Sequence, residues 1–146
     1  MSLHRWSAVL LTAALFVPLS GRADSKTEIK GAPILDHPCG KVAVKHMGLV
    51  HAGKMEEASR LGTPEMQEKW KALPAKDRTM MTGMMKEMSK PEAQFADEIK
   101  AGGVLVVDGK SATLTVQQEH KEANGTSSDT LTQNYEIDGG KCLITR

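Results

Sequence analysis

The chain has 146 residues, 19 Lys and Arg against 18 Asp and Glu, and a formal net charge of +1. So even a balance leaves no electrostatic footprint for nucleic acid or for an anionic membrane surface. With only 3% aromatic residues, the chain also lacks the rings that commonly line pockets for large flat ligands.

The N-terminal stretch reads as a secretory signal peptide over residues 1–23. Met1–Arg5 is short and basic, Trp6–Leu19 is apolar, and Gly21-Arg22-Ala23 places small residues where a signal peptidase cuts. The apolar run falls short of the about 20 residues that a membrane span needs. No Cys follows the cut, so a lipid anchor is not expected. The reading is a periplasmic or secreted protein that starts at Asp24 and keeps no stable membrane anchor. Removing residues 1–23 leaves 123, enough for one domain with a modest core. The leader carries Arg5 and Arg22 and no acid, so 17 basic residues then stand against 18 acidic ones. Cys39 and Cys142 both remain. An even pair in an exported chain favours a disulfide, with two buried thiols as the alternative.

Residues 24–32 are polar and are expected to form a flexible leader ahead of a single domain over 33–146. Asp36 is expected to cap a first helix with Pro38 in its first turn, running to about His51. Val42, Ala43, Met47 and Val50 share one face of it, and Gly53 stops it. A short helix follows over Lys54–Leu61. Thr63 caps a third helix that starts at Pro64 and ends at Leu73, before Pro74. Lys76–Ser89 is a fourth, and Pro91 opens a last one through Ile99.

After Ala101-Gly102-Gly103 the period changes from helical to alternating. Four β segments are separated by Asp108-Gly109, Asn124-Gly125 and Gly139-Gly140, each suited to a two-residue type I′ turn. These turns set Leu105 opposite Ala112, Leu114 opposite Tyr135 and Ala112 opposite Ile137. They also set Ile137 opposite Cys142 and Tyr135 opposite Ile144. One face is then apolar and the other, with Thr113, Thr115, Thr130, Thr132 and Glu136, polar. The predicted fold is α+β, with N-terminal helices packed on one face of a curved four-stranded antiparallel meander.

This order of elements resembles the nuclear-transport-factor-2-like superfamily of cone-shaped α+β domains. The local likeness lies in His51-Ala52-Gly53-Lys54-Met55-Glu56-Glu57-Ala58, in the Asp108–Val116 segment, and in Asp138-Gly139-Gly140-Lys141-Cys142-Leu143-Ile144. It is closest to the small exported bacterial members. Lys54 stands where members often have Asp, and Cys142 where they often have Trp. The resemblance implies a concavity capped by helices. It does not fix a function, because the superfamily hosts isomerases, dehydratases and plain binding modules.

No motif for a nucleophilic triad, a phosphate loop or a zinc site occurs, so no catalytic residue, metal ligand or cofactor is assigned. The inward strand positions place Gln118, His120, Gln133 and Tyr135 around a candidate pocket. No carboxylate joins them. The expected function is therefore an exported non-enzymatic binding module, its partner an unidentified small ligand or protein. Two alternatives stand beside it. Met80, Met81, Met84, Met85 and Met88 are crowded together, and Met81, Met84, Met85 and Met88 fall at i, i+3, i+4 and i+7. Soft thioethers select Cu(I), which allows a periplasmic copper(I)-handling protein. The plainer account of that stripe is a core-facing helix filled with adaptable Met side chains. The other alternative is an isomerase- or dehydratase-like enzyme using His120 and Tyr135.

Overall fold

The computed structural model describes residues 26–145. The predicted signal peptide, together with Asp24 and Ser25, lies outside the described residues. Among the described residues no helix is long and apolar enough to cross a membrane. The chain forms β1 (Thr27–Lys30), a 3-10 turn (Ala32–Asp36), α1 (Pro38–His51), α2 (Met55–Ser59), α3 (Pro64–Ala72), α4 (Ala75–Met88) and α5 (Glu92–Gly102). It continues with β2 (Gly103–Asp108), β3 (Ser111–Glu122), β4 (Gly125–Asp138) and β5 (Lys141–Ile144). The architecture is α+β, and the strands form one antiparallel sheet in the order β1-β2-β3-β4-β5.

The sheet has five strands where four were expected. Thr27–Lys30 belongs to it instead of to a flexible leader, with Ile29 opposite Leu105. Main-chain pairing needs no side-chain pattern, and a single apolar residue gave the segment none to read. Its charged residues Glu28 and Lys30 suit an edge strand, where an apolar row would invite aggregation. The opposite edge is covered as well. Thr63 N–H donates to the Ile144 carbonyl at 3.0 Å, and Ile144 N–H donates to the Leu61 carbonyl at 2.9 Å.

Two turns sit one residue away from their expected places. The β2–β3 turn is Gly109-Lys110, which sets Leu105 opposite Leu114 and not Ala112. Gly109 has a φ of +58° and Lys110 has none in the positive region, whereas a type I′ turn needs both residues there. The β3–β4 turn is Ala123-Asn124, with Gly125 opening β4, so Ala112 faces Tyr135 and Leu114 faces Gln133. Each correction moves a partner by two residues. Side chains alternate with a period of two, so the inward and outward sets are unchanged. At β4–β5 the Gly139-Gly140 turn is as expected, with Tyr135 opposite Ile144 and Ile137 opposite Cys142.

The helices cover the inward face. Ile34, Cys39, Phe95, Ile99, Leu105, Leu114, Val116 and Tyr135 form the centre of the core. His37, not Asp36, caps α1: its Nδ1 accepts from Cys39 N–H at 3.1 Å. Asp36 closes the 3-10 turn that packs against that helix. The close approach needs Gly40, because a Cβ there would lie 1.8 Å from the Ile34 carbonyl oxygen. Cys39 and Cys142 are disulfide-bonded, with Cα atoms 5.0 Å apart, which ties the first turn of α1 to β5. A second cluster of Val50, Met55 and Ala58, with Trp70 and Met85 against it, joins α2, α3 and α4 to the C-terminal end of α1. No residue of α4 is fully buried, and Met80, Met84 and Met88 are exposed. The methionine helix is therefore not core-facing as expected. It lies over the end of α1 as an outer wall.

Candidate functional site

A cleft of about 200 Å³ opens between α1, α4 and the inner face of β4. Three periodicities build it. Ala43, His46, Met47 and Val50 fall at i, i+3, i+4 and i+7 on α1, one continuous face. Leu131, Gln133 and Tyr135 alternate along β4, so all three point inward. Met85 and Met88 are one turn apart on α4 and form the outer wall, with Met88 at the solvent side. Phe95 of α5 and Ile144 of β5 complete the apolar lining.

Tyr135 is the most deeply buried polar residue of the lining. The residue is 2% exposed, and its buried hydroxyl has no hydrogen-bond partner. Ala112 stands opposite it on β3 and Ile144 on β5, and neither has a polar side chain to offer. Burial pushes the phenol above its ordinary pKa, so it stays protonated and keeps a proton to donate. His46, on the facing helix, has its pKa lowered by burial, which favours the neutral imidazole. The other two polar residues of the lining spend their donors on backbone carbonyls. Gln133 Nε2 donates to the carbonyls of Thr145 at 3.0 Å and Asn134 at 3.2 Å. Ser89 Oγ donates to the Lys86 carbonyl at 2.7 Å and lies 3.4 Å from His51 Nδ1. A serine whose proton caps a helix is a poor nucleophile, despite the nearby imidazole.

The structure divides the expected pocket residues. Gln133 and Tyr135 line the cleft, whereas Gln118 and His120 do not. Gln118 is buried on β3 opposite Asp129. His120 lies farther out on the β3–β4 hairpin, with Nε2 3.5 Å from Asp129 Oδ2 and its side chain 41% exposed. Alternation places both on the inner face but says nothing about how far the helices reach along it. His120 and Tyr135 consequently do not meet in this cleft. Of the expected thioether set, Met85 and Met88 border the cleft and Met81 and Met84 do not. His46 was missed as a site residue. Its signal was present, since it continues the Ala43, Met47, Val50 stripe.

Among the described residues, one group of His, Cys, Asp or Glu side chains is close enough to hold a metal: His37, Cys39 and Cys142, with donor atoms within 4.8 Å of one another. Its sulfurs are bonded to each other and His37 Nδ1 caps Cys39, so these donors already have partners. No family model, no curated protein and no solved structure matches the chain.

Proposed function

We propose that the chain is an exported, non-enzymatic binding module that takes a small, mostly apolar ligand into the cleft between α1, α4 and β4. One observation carries the reading: a mostly apolar cleft of about 200 Å³ whose lining includes Tyr135, a core residue with a buried, unpartnered hydroxyl. A polar group left unsatisfied in a folded core costs stability, and such groups persist where function needs them. The volume of about 200 Å³ is close to the ~150 Å³ of an engineered cavity that takes up benzene. It fits one ring or a short branched chain. Export is supported by the signal-like N-terminus and by the Cys39–Cys142 bridge, which suits an oxidising compartment. The helix-covered antiparallel sheet fits the likeness to the nuclear-transport-factor-2-like superfamily, and membership of it is part of this proposal. Toluene added to isotope-labelled protein tests the cleft. Amide shifts gathered on Val50, Met85 and Tyr135 are the expected result, and shifts scattered over the surface, or none, reject it.

A second reading keeps copper(I) handling with a revised donor set. His46, Met47, Met85 and Met88 border one cleft, which offers one neutral imidazole and three thioethers from two helices. Cu(I) favours such soft donors. Anaerobic titration against bicinchoninate distinguishes the sets. Loss of binding in Met85→Leu/Met88→Leu, with binding retained in Met81→Leu/Met84→Leu, supports the revised set. No binding by the wild type removes the reading.

A further inference from the structure

We infer that Cys39, Cys142 and His37 form a redox-gated Zn2+ site, closed to metal while the two sulfurs are bonded to each other and open once a dithiol has reduced them. The site is separate from the cleft and does not depend on it.

Two distant parts of the chain bring the donors together. His37 caps α1, Cys39 lies in the first turn of that helix, and Cys142 is on β5. One ring nitrogen and the two sulfurs lie within 4.8 Å of one another, and the Cα atoms of the cysteines are 5.0 Å apart. In a tetrahedral Zn2+ site with bonds of about 2.0–2.3 Å, such donors stand about 3.5–4 Å apart. Parting the sulfurs and swinging the imidazole inward makes that set by side-chain rotation, with the fold kept. Three protein donors leave the fourth position to water, a pattern that zinc centres with two cysteines and one histidine use. Among the described residues no other group of His, Cys, Asp or Glu side chains comes as close together.

The surroundings favour the metal over two free thiolates. Cys39 and Cys142 belong to an apolar cluster at 0% and 3% exposure. Two thiolates alone would be uncompensated charges there, whereas two thiolates and one Zn2+ sum to zero. His37 is half-buried, so the third donor sits toward solvent and marks the way in. The reaction balances with a dithiol as reductant. One of its thiolates attacks a sulfur of the bridge, and its second thiol resolves the mixed disulfide. The reductant leaves as a disulfide, and Cys39 and Cys142 each keep a proton. Zn2+ then displaces those two protons to solvent.

Co2+, a coloured stand-in for Zn2+, tests this anaerobically on the chain purified with its bridge closed, before and after reduction. The reductant in the test is a phosphine, because a dithiol would itself chelate the metal. Neither ion is drawn to the thioethers of the cleft, which select Cu(I). The reduced protein should show a thiolate-to-cobalt charge-transfer band and the intense visible bands of four-coordinate Co2+, both erased by one equivalent of Zn2+. The oxidised protein should show neither. Zn2+ should also raise the urea midpoint of the reduced protein, since it binds the folded form. His37→Ala should keep the charge-transfer band and weaken Zn2+ binding by at least about tenfold, the least that losing even a group supporting a ligand costs. No band in the reduced protein, or the same band in the oxidised one, overturns the inference without any variant. A midpoint lowered by Zn2+ overturns it as well, because the metal would then prefer the unfolded chain. Unchanged affinity in His37→Ala removes the histidine and with it the three-donor site.

Discussion

At the scale of single residues, Tyr135 combines a core-filling ring with an unmet polar group. Its ring fills the core between Ala112 and Ile144, while its hydroxyl is buried without a partner. Tyr135→Phe keeps the ring and removes the unsatisfied group, so the ligand-free protein should gain about 1 kcal/mol. Urea unfolding measures this, and a loss of 1 kcal/mol or more would mean the hydroxyl has a partner in the fold. His46 makes a second residue-scale prediction. Burial lowers its pKa, so below the unfolded value of 6.5 the unfolded chain binds the proton more readily than the folded one. Stability should therefore fall as the pH drops from 7 through that window. His37 is shifted in the same direction and adds to the slope. His46→Asn should flatten the dependence only in part, leaving the His37 contribution; a profile identical to that of the wild type would show that His46 is not the origin. Alternation put Tyr135, Gln133, His120 and Gln118 on one inward face, and the cleft takes in only the first two, because alternation fixes a face and not how far the helices reach along it.

At the scale of elements, legibility followed how local the causes are. The α3 start was readable because its cap is contained within four residues, Thr63 Oγ1 accepting from Met66 N–H at 3.4 Å. The β1 strand was not readable, because its cause is a partner strand far along the chain. The α4 helix had the right period and the wrong inference drawn from it: four apolar residues on one stripe do not show that anything covers them. With no fully buried side chain, α4 is held chiefly by the contacts of its Met85 side with Val50 and the second cluster. Such an element belongs to the low-stability end of a fold, which suits a wall that must yield to admit a ligand. Gly83 in its middle weakens it further. A Cβ there would meet nothing within 4 Å, so Gly83→Ala should stabilise the protein by about 0.5–1 kcal/mol, seen as a higher urea midpoint at unchanged slope. A decrease would show that the glycine answers a packing need absent from this conformation. The same substitution should slow amide exchange across α4 and leave exchange in β3 untouched.

At the scale of the whole molecule, the fold depends on holding helices from the first part of the chain against strands from the last. The Cys39–Cys142 bridge spans 103 residues and joins those two parts directly. The even pair and the inward position of Cys142 made the partners legible in the sequence. A cross-link closing so long a loop restricts the unfolded ensemble strongly, and losing it in a small secreted domain costs about 2–5 kcal/mol. Replacing both cysteines would confuse two effects, because Cys39 and Cys142 are themselves core residues at 0% and 3% exposure. Reduction by a dithiol keeps the sulfurs in place and removes only the bond. The comparison is therefore urea unfolding of the oxidised protein against the same protein reduced and kept under the dithiol. The reduced form should unfold at a markedly lower urea concentration, with a steeper slope because its unfolded chain is more expanded. Intact mass fixes the starting state: the oxidised protein is two hydrogens lighter and resists alkylation until reductant is added. Two thiols that alkylate freely in natively purified protein, or a midpoint indifferent to reduction, would show that packing alone holds α1 on the sheet.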